Sequence, residues 1–221
     1  VGTDGQGVYM YFTDAFSIQN TLLNTPAYQI NNPVRALFLD NEQTLWIGTK
    51  GGGIVRINNY SPDKESLTSF NRISAANSTL TDNAVYCFAP STTGKLWIGT
   101  ENGINYYSYK SKQLKEFPVV ADNKKVKYVH SINELNDTTL WVSTVGEGIV
   151  KVILNNTGSS PAVKSATRIV LDKGRMASNY FFTSFQESDS ILWFGNRGYG
   201  AYRLNVETGE MTPYKFDDVV K

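Results

Sequence analysis

Leu45-Trp46-Ile47-Gly48-Thr49 returns as Leu96-Trp97-Ile98-Gly99-Thr100, as Leu140-Trp141-Val142-Ser143-Thr144 and as Leu192-Trp193-Phe194-Gly195-Asn196. The four phrases hold all four tryptophans, at gaps of 51, 44 and 52 residues. A fifth copy opens the sequence: Val1-Gly2-Thr3-Asp4-Gly5-Gln6-Gly7-Val8-Tyr9 aligns with Ile47 to Val55 and lacks only its Leu-Trp. Self-similarity at such a period marks a supersecondary unit that is stacked repeatedly.

Working outward, each phrase leads through a glycine-containing turn into a short β-rich run: Ile54-Val55-Arg56-Ile57, Ile104-Asn105-Tyr106-Tyr107, Ile149-Val150-Lys151-Val152 and Ala201-Tyr202-Arg203-Leu204. That pattern predicts two strands and a tight hairpin. Eleven or twelve residues before each tryptophan stands another matched run, Val34-Arg35-Ala36-Leu37, Val85-Tyr86-Cys87-Phe88, Val129-His130-Ser131-Ile132 and Phe182-Thr183-Ser184-Phe185. Its third position is small in every copy. After the hairpin comes a fourth, looser run: Leu67-Thr68-Ser69-Phe70, Leu114-Lys115-Glu116-Phe117, Thr167-Arg168-Ile169-Val170 and Met211-Thr212-Pro213-Tyr214.

Four short strands every 44 to 52 residues, with almost no helical periodicity between them, predict an all-β fold, a β-propeller of four-stranded blades. A single blade cannot bury both of its faces. Trp46, Trp97, Trp141 and Trp193 are therefore expected to fill the spaces between adjacent blades, and Ala36, Cys87, Ser131 and Ser184 to lie on innermost strands, where larger side chains would collide. The expected units are a partial blade over about 1–25 and complete blades over about 26–75, 76–118, 119–170 and 171–221, together one propeller segment of a larger ring.

Composition agrees with a folded chain and removes several functions. The 221 residues are 41% hydrophobic and 19% charged, too apolar for disorder. A net charge of +1 without runs of like charge gives no footprint for nucleic acid or for an acidic membrane surface. One cysteine, Cys87, excludes an internal disulfide, and one histidine, His130, excludes a multi-histidine zinc site. No metal or other cofactor is expected. No apolar run reaches the length of a membrane span, so this chain is expected to make no membrane contact.

The phrase Leu-Trp-Ile-Gly-Thr with its Gly-rich turn and following apolar strand, in five successive copies, resembles the two-component regulator propeller repeat. Ser143 and Asn196 depart from the pattern. The resemblance implies the periplasmic sensor portion of a hybrid two-component histidine kinase and response regulator of Bacteroides type, with usually seven blades per ring. It also implies a parent homodimer and a cytoplasmic kinase outside this chain. No kinase motif can be assigned here, so the chain itself is not expected to be an enzyme.

If strands run antiparallel from the axis outward, the hairpins after the tryptophan strands share one end of the ring with the starts of the innermost strands. Candidate ligand contacts at that end are Asn32, Arg35, Asn83, Tyr86, Tyr128, His130, Asn179 and Tyr180, with Lys50, Glu101, Glu147, Arg197 and Tyr199 in the hairpins. Aromatic faces stack on sugar faces while Asn, Arg and Glu satisfy hydroxyls, a mix that suits a small oligosaccharide. His130 reads first as a hydrogen-bonded inner-strand residue, and Glu101 and Glu147 first as solvated turn residues, each ahead of a ligand role. A propeller lyase or glycosidase would need a carboxylate pair. Asp40, Asp82, Glu101, Glu147 and Asp189 form no repeated or clustered set. A protein-interaction scaffold is the third reading.

Overall fold

The computed structural model describes residues 9–12, 17–20, 30–61, 70–155, 160–171 and 179–215. A two-stranded antiparallel hairpin, β1 (Tyr9–Phe12) and β2 (Ser17–Asn20), comes first. The opening copy Val1 to Val8 and most of the run Leu67 to Phe70 lie outside the described residues. Four four-stranded sheets follow in chain order. The first holds β3 (Val34–Leu39), β4 (Leu45–Thr49), β5 (Ile54–Ile57) and β6 (Phe70–Ile73). The second holds β7 (Val85–Pro90), β8 (Lys95–Thr100), β9 (Gly103–Ser108) and β10 (Gln113–Phe117). A short hairpin of β11 (Val120–Ala121) and β12 (Lys124–Lys125) links it to the third, β13 (Val129–Asn136), β14 (Thr139–Thr144), β15 (Ile149–Asn155) and β16 (Ala162–Ile169). The fourth is β17 (Phe181–Gln186), β18 (Ile191–Asn196), β19 (Gly200–Asn205) and β20 (Met211–Tyr214).

Every sheet is a simple antiparallel meander, and the described residues contain no helix. First strands lie side by side, β3 against β7, β7 against β13 and β13 against β17. The sheets are blades of a β-propeller, and their first strands line its axis.

Each residue of the repeated phrase has its own task, which follows from the period-2 alternation of a strand. Leu96 and Ile98 face back onto the first blade, in a cluster with Trp46, Ile54 and Val85. Trp97 points forward into a cluster with Val129, Leu140 and Val142 of the third blade. Trp141 in turn points forward against Phe181, Leu192 and Phe194. Trp46, Trp97 and Trp141 are 0%, 0% and 2% exposed, as interblade packing requires. Trp193 departs from that expectation: it is only half-buried, because its forward face lies beyond the fourth blade, and its ring rests on Tyr214 with centroids 5.0 Å apart.

The indole N–H groups are satisfied in different ways. Trp46 Nε1 donates to Asp40 Oδ2 at 2.8 Å, and Trp193 to Glu187, each acceptor six residues upstream. In the second blade Ser91 occupies that place, and Glu134 of the third blade accepts from Trp97 instead. Trp141 Nε1 has no hydrogen-bond partner, while Lys151 Nζ stands 5.4 Å from its ring. Asp40 is buried and also accepts from the amides of Glu42 and Thr44, so this carboxylate organises a turn.

The phrase closes on its last two residues. Thr49, Thr100 and Thr144 each donate a side-chain hydroxyl to the carbonyl of the glycine at the start of the next strand or just before it, Gly53, Gly103 and Gly148. The preceding glycine is required by proximity: a Cβ on Gly48 would stand 2.8 Å from Val85 of the next blade and 3.1 Å from Ala36.

Register corrects one expectation. Ala36, Cys87 and Ser131 pair with Gly48, Gly99 and Ser143, but the fourth equivalent is Thr183, paired with Gly195, and not Ser184. Phe181 thus takes the place of Val34, and the spacing to tryptophan becomes twelve in all four blades. Ser184 instead joins two blades, its hydroxyl 2.8 Å from that of Ser131.

Candidate functional site

All four innermost strands break register at the same point. Val34 pairs with Thr49 and Ala36 with Gly48, so the register skips Arg35. Tyr86, His130 and Phe182 are skipped in the same way. A β-bulge adds one residue and re-aims its side chain. Together with Lys50, these four bulged residues line a cavity of about 380 Å³. Each blade supplies one bulged residue to it.

The wall is built largely of rings. Tyr86 and His130 stack with centroids 4.0 Å apart and planes inclined by 14°. Phe182 meets His130 edge to face at 5.0 Å and is 41% exposed. The Tyr86 hydroxyl donates to Glu101 Oε2 at 2.9 Å. Burial first, then the hydrogen bond and charge of Glu101 and the charge of Asp82, push the phenol up to about 12, so Tyr86 stays a donor. Burial and then the positive charge of Arg35 lower His130 from 6.5 to about 4, so the imidazole is neutral at neutral pH.

A pH dependence follows. The unfolded chain binds a proton at His130 near pH 6.5 and the folded chain only near 4, so between those values the unfolded state carries more protons. The contribution is complete above about pH 6.5 and declines as the pH falls toward 4, damped by the solvent exposure of the ring. His130→Gln is expected to flatten the melting temperature between pH 6.5 and 4. An unchanged slope would show that the ring titrates alike in both states.

Backbone contacts fix this end of the propeller. Lys50, Glu101, Val145 and Arg197, each following a phrase, donate their amides to the carbonyls of Pro33, Ala84, Tyr128 and Tyr180, each preceding an inner strand. The hairpins and the inner-strand starts therefore share one end.

The structure brings Arg35, Tyr86 and His130 together. Tyr128 and Tyr180 stand exposed on the same end, with the Tyr180 ring over Gly146. Arg197 is an exposed hairpin residue there. The asparagines are occupied with the fold. The Asn83 carbonyl receives the amides of Gly51 and Gly53, and Asn179 those of Gly146 and Gly148. Their side chains accept from Ala75 and Leu171. Asn32 donates to the Lys50 carbonyl at 3.4 Å. Glu147 is not a freely solvated turn residue, since Arg168 donates to it at 2.8 Å. Phe182 was not among the sequence candidates.

Four-stranded blades around a common axis, with four bulged side chains gathered at one end, define a repeat propeller with an axial cavity. The chain carries two-component regulator propeller repeats: residues 28–51 and 79–102 match the family described as "Two component regulator propeller". Both matches span an inner strand and the phrase after it. The chain is 31% identical over 157 residues to Histidine kinase P4 of Formosa agariphila, covering 70% of this chain and 11% of that protein. Among solved structures it is similar to the extracellular domain of the hybrid two component system BT4673 from B. thetaiotaomicron. That likeness has a TM-score of 0.73 at 20% identity over 93% of this chain and 28% of the other. The extracellular domain of the hybrid two component system BT3049, also from B. thetaiotaomicron, gives 0.58 at 19% identity, over 85% of this chain and 25% of that one. PorZ of Porphyromonas gingivalis, a surface component of the type-IX secretion system, gives 0.63 at 15% identity, over 95% and 30%.

Proposed function

We propose that this chain is part of the extracytoplasmic, periplasmic sensor propeller of a hybrid two-component signalling protein. It recognises a glycan-derived oligosaccharide at the axial cavity and passes the signal to a cytoplasmic histidine kinase outside this chain. The observation that carries the reading is the bulge at one repeat position in all four blades, which gathers Arg35, Tyr86, His130 and Phe182 around one space. Stacked rings beside hydrogen-bonding groups are what sugar recognition uses.

The chain itself performs no turnover in this reading. None of the five described lining residues is a carboxylate. Asp40 is committed to Trp46, Glu101 to Tyr86, Asp82 to the Ala84 amide and Glu147 to Arg168. A ligand that spans several blades favours the interblade angles it fits best. Such differential affinity biases one arrangement of the parent homodimer over another.

Titration calorimetry with a panel of glycan fragments tests this. Tyr86→Ala is expected to weaken binding by roughly tenfold or more, the equivalent of about 1.4 kcal/mol, with an unchanged melting curve. Unaltered affinity would remove the cavity as the site, and release of cleaved product would move the protein to the enzyme class.

A further inference from the structure

We infer that the sugar taken by the axial cavity is acidic, a ring bearing a carboxylate or a sulfate, with its anionic group held by Arg35 and Lys50 and its ring laid on the aromatic wall. This rests on the ligand-sensing reading above and names the class of ligand.

The cavity is polarised. Arg35 and Lys50 both come from the first blade and both are exposed, whereas Tyr86, His130 and Phe182 come from the second, third and fourth. Lys50 is not loosely placed, because its amide donates to the Pro33 carbonyl at 2.8 Å and it bridges to Ala84 of the second blade. Arg35 sits on the bulge. Two carboxylates whose charge reaches Tyr86 are turned to other work: Glu101 receives the Tyr86 hydroxyl and Asp82 the Ala84 amide, and neither is among the described lining residues. A guanidinium fork matches carboxylate and sulfate oxygens, and an ammonium beside it adds a point charge. The positive field of Arg35 reaches His130, where it helps to keep the imidazole neutral. That leaves His130 as an uncharged stacking and hydrogen-bonding surface and assigns the anion to the first blade. The volume of about 380 Å³ falls in the small-molecule range of roughly 300–1,000 Å³.

The experiment compares three probes by calorimetry on this chain: an oligogalacturonide mixture, a sulfated galactan hydrolysate and a neutral galactan hydrolysate, each at low and high sodium chloride. One of the acidic probes is expected to bind roughly tenfold or more tightly than the neutral one, with a preference that shrinks as salt rises. Which of the two binds distinguishes carboxylate from sulfate. Arg35→Gln and Lys50→Gln should each shrink the ratio of acidic-probe to neutral-probe affinity, with the melting curve unchanged. Equal or tighter binding of the neutral probe overturns the acidic assignment while the sensor reading stands. A preference that survives both substitutions also overturns it. Failure of all three probes to bind overturns both.

Discussion

Trp97→Ala is expected to lower the free energy of unfolding by about 3–5 kcal/mol, the range for removing a large buried aromatic. The ring is fully buried between the second and third blades and touches Phe117 edge to face with centroids 5.0 Å apart. Its loss opens a cavity at a seam and leaves the Glu134 carboxylate without its indole donor. Trp193→Ala is the internal control. It removes the same residue from the same repeat position, but Trp193 is only half-buried, so the loss should be markedly smaller. Urea denaturation of both variants measures the difference. Equal losses would refute the forward-facing role of the tryptophan and make the phrase a property of each blade alone.

A methyl group added to Gly99 should be nearly as disruptive for its size. A Cβ there would overlap the Cys87 sulfur and stand 2.7 Å from both the Val129 side chain and the Val129 carbonyl oxygen. One obstacle lies in the same blade and the others in the next, so no single side-chain rotation relieves both. Gly99→Ala is expected to cost about 1–3 kcal/mol through overpacking. Gly94→Ala separates this effect from backbone preference. Gly94 has a φ of 72° in a turn with nothing within 4 Å of the added carbon, so it carries a conformational cost of about 1–2 kcal/mol and no contact with its surroundings. Chemical denaturation should rank Gly99→Ala as the more severe, and the opposite order would contradict the close approach of the blades at this glycine.

The strand count and the blade architecture were legible because the alternation in the phrase is strict, with Leu96 and Ile98 on one face and Trp97 on the other. The hairpin after it was legible from its glycines. The bulges were not, since one extra residue in a strand leaves no mark in composition. Arg35, Tyr86 and His130 were nonetheless found, as the polar or aromatic second residue of each inner run. Phe182 was missed because the doublet Phe181-Phe182 allows two alignments. The uniform spacing of twelve to tryptophan selects Phe181 as the first residue and frees Phe182 for the cavity. The bond between Trp97 and Glu134 crosses 37 residues and two blades, beyond any local pattern. The small hairpin of β11 and β12 did leave a signal. Asp122 and Asn123 both adopt positive φ, 52° and 61°, as a two-residue turn of this kind needs.

The skipped position in each inner strand has a consequence for how such a protein diversifies. A residue outside the ladder can be exchanged without disturbing strand pairing, and the four occupants already differ: arginine, tyrosine, histidine and phenylalanine. The scaffold thus offers four sockets whose contents can be rewritten one at a time, so the chemistry of the axial cavity can change while the tryptophan seams that hold the blades together stay as they are.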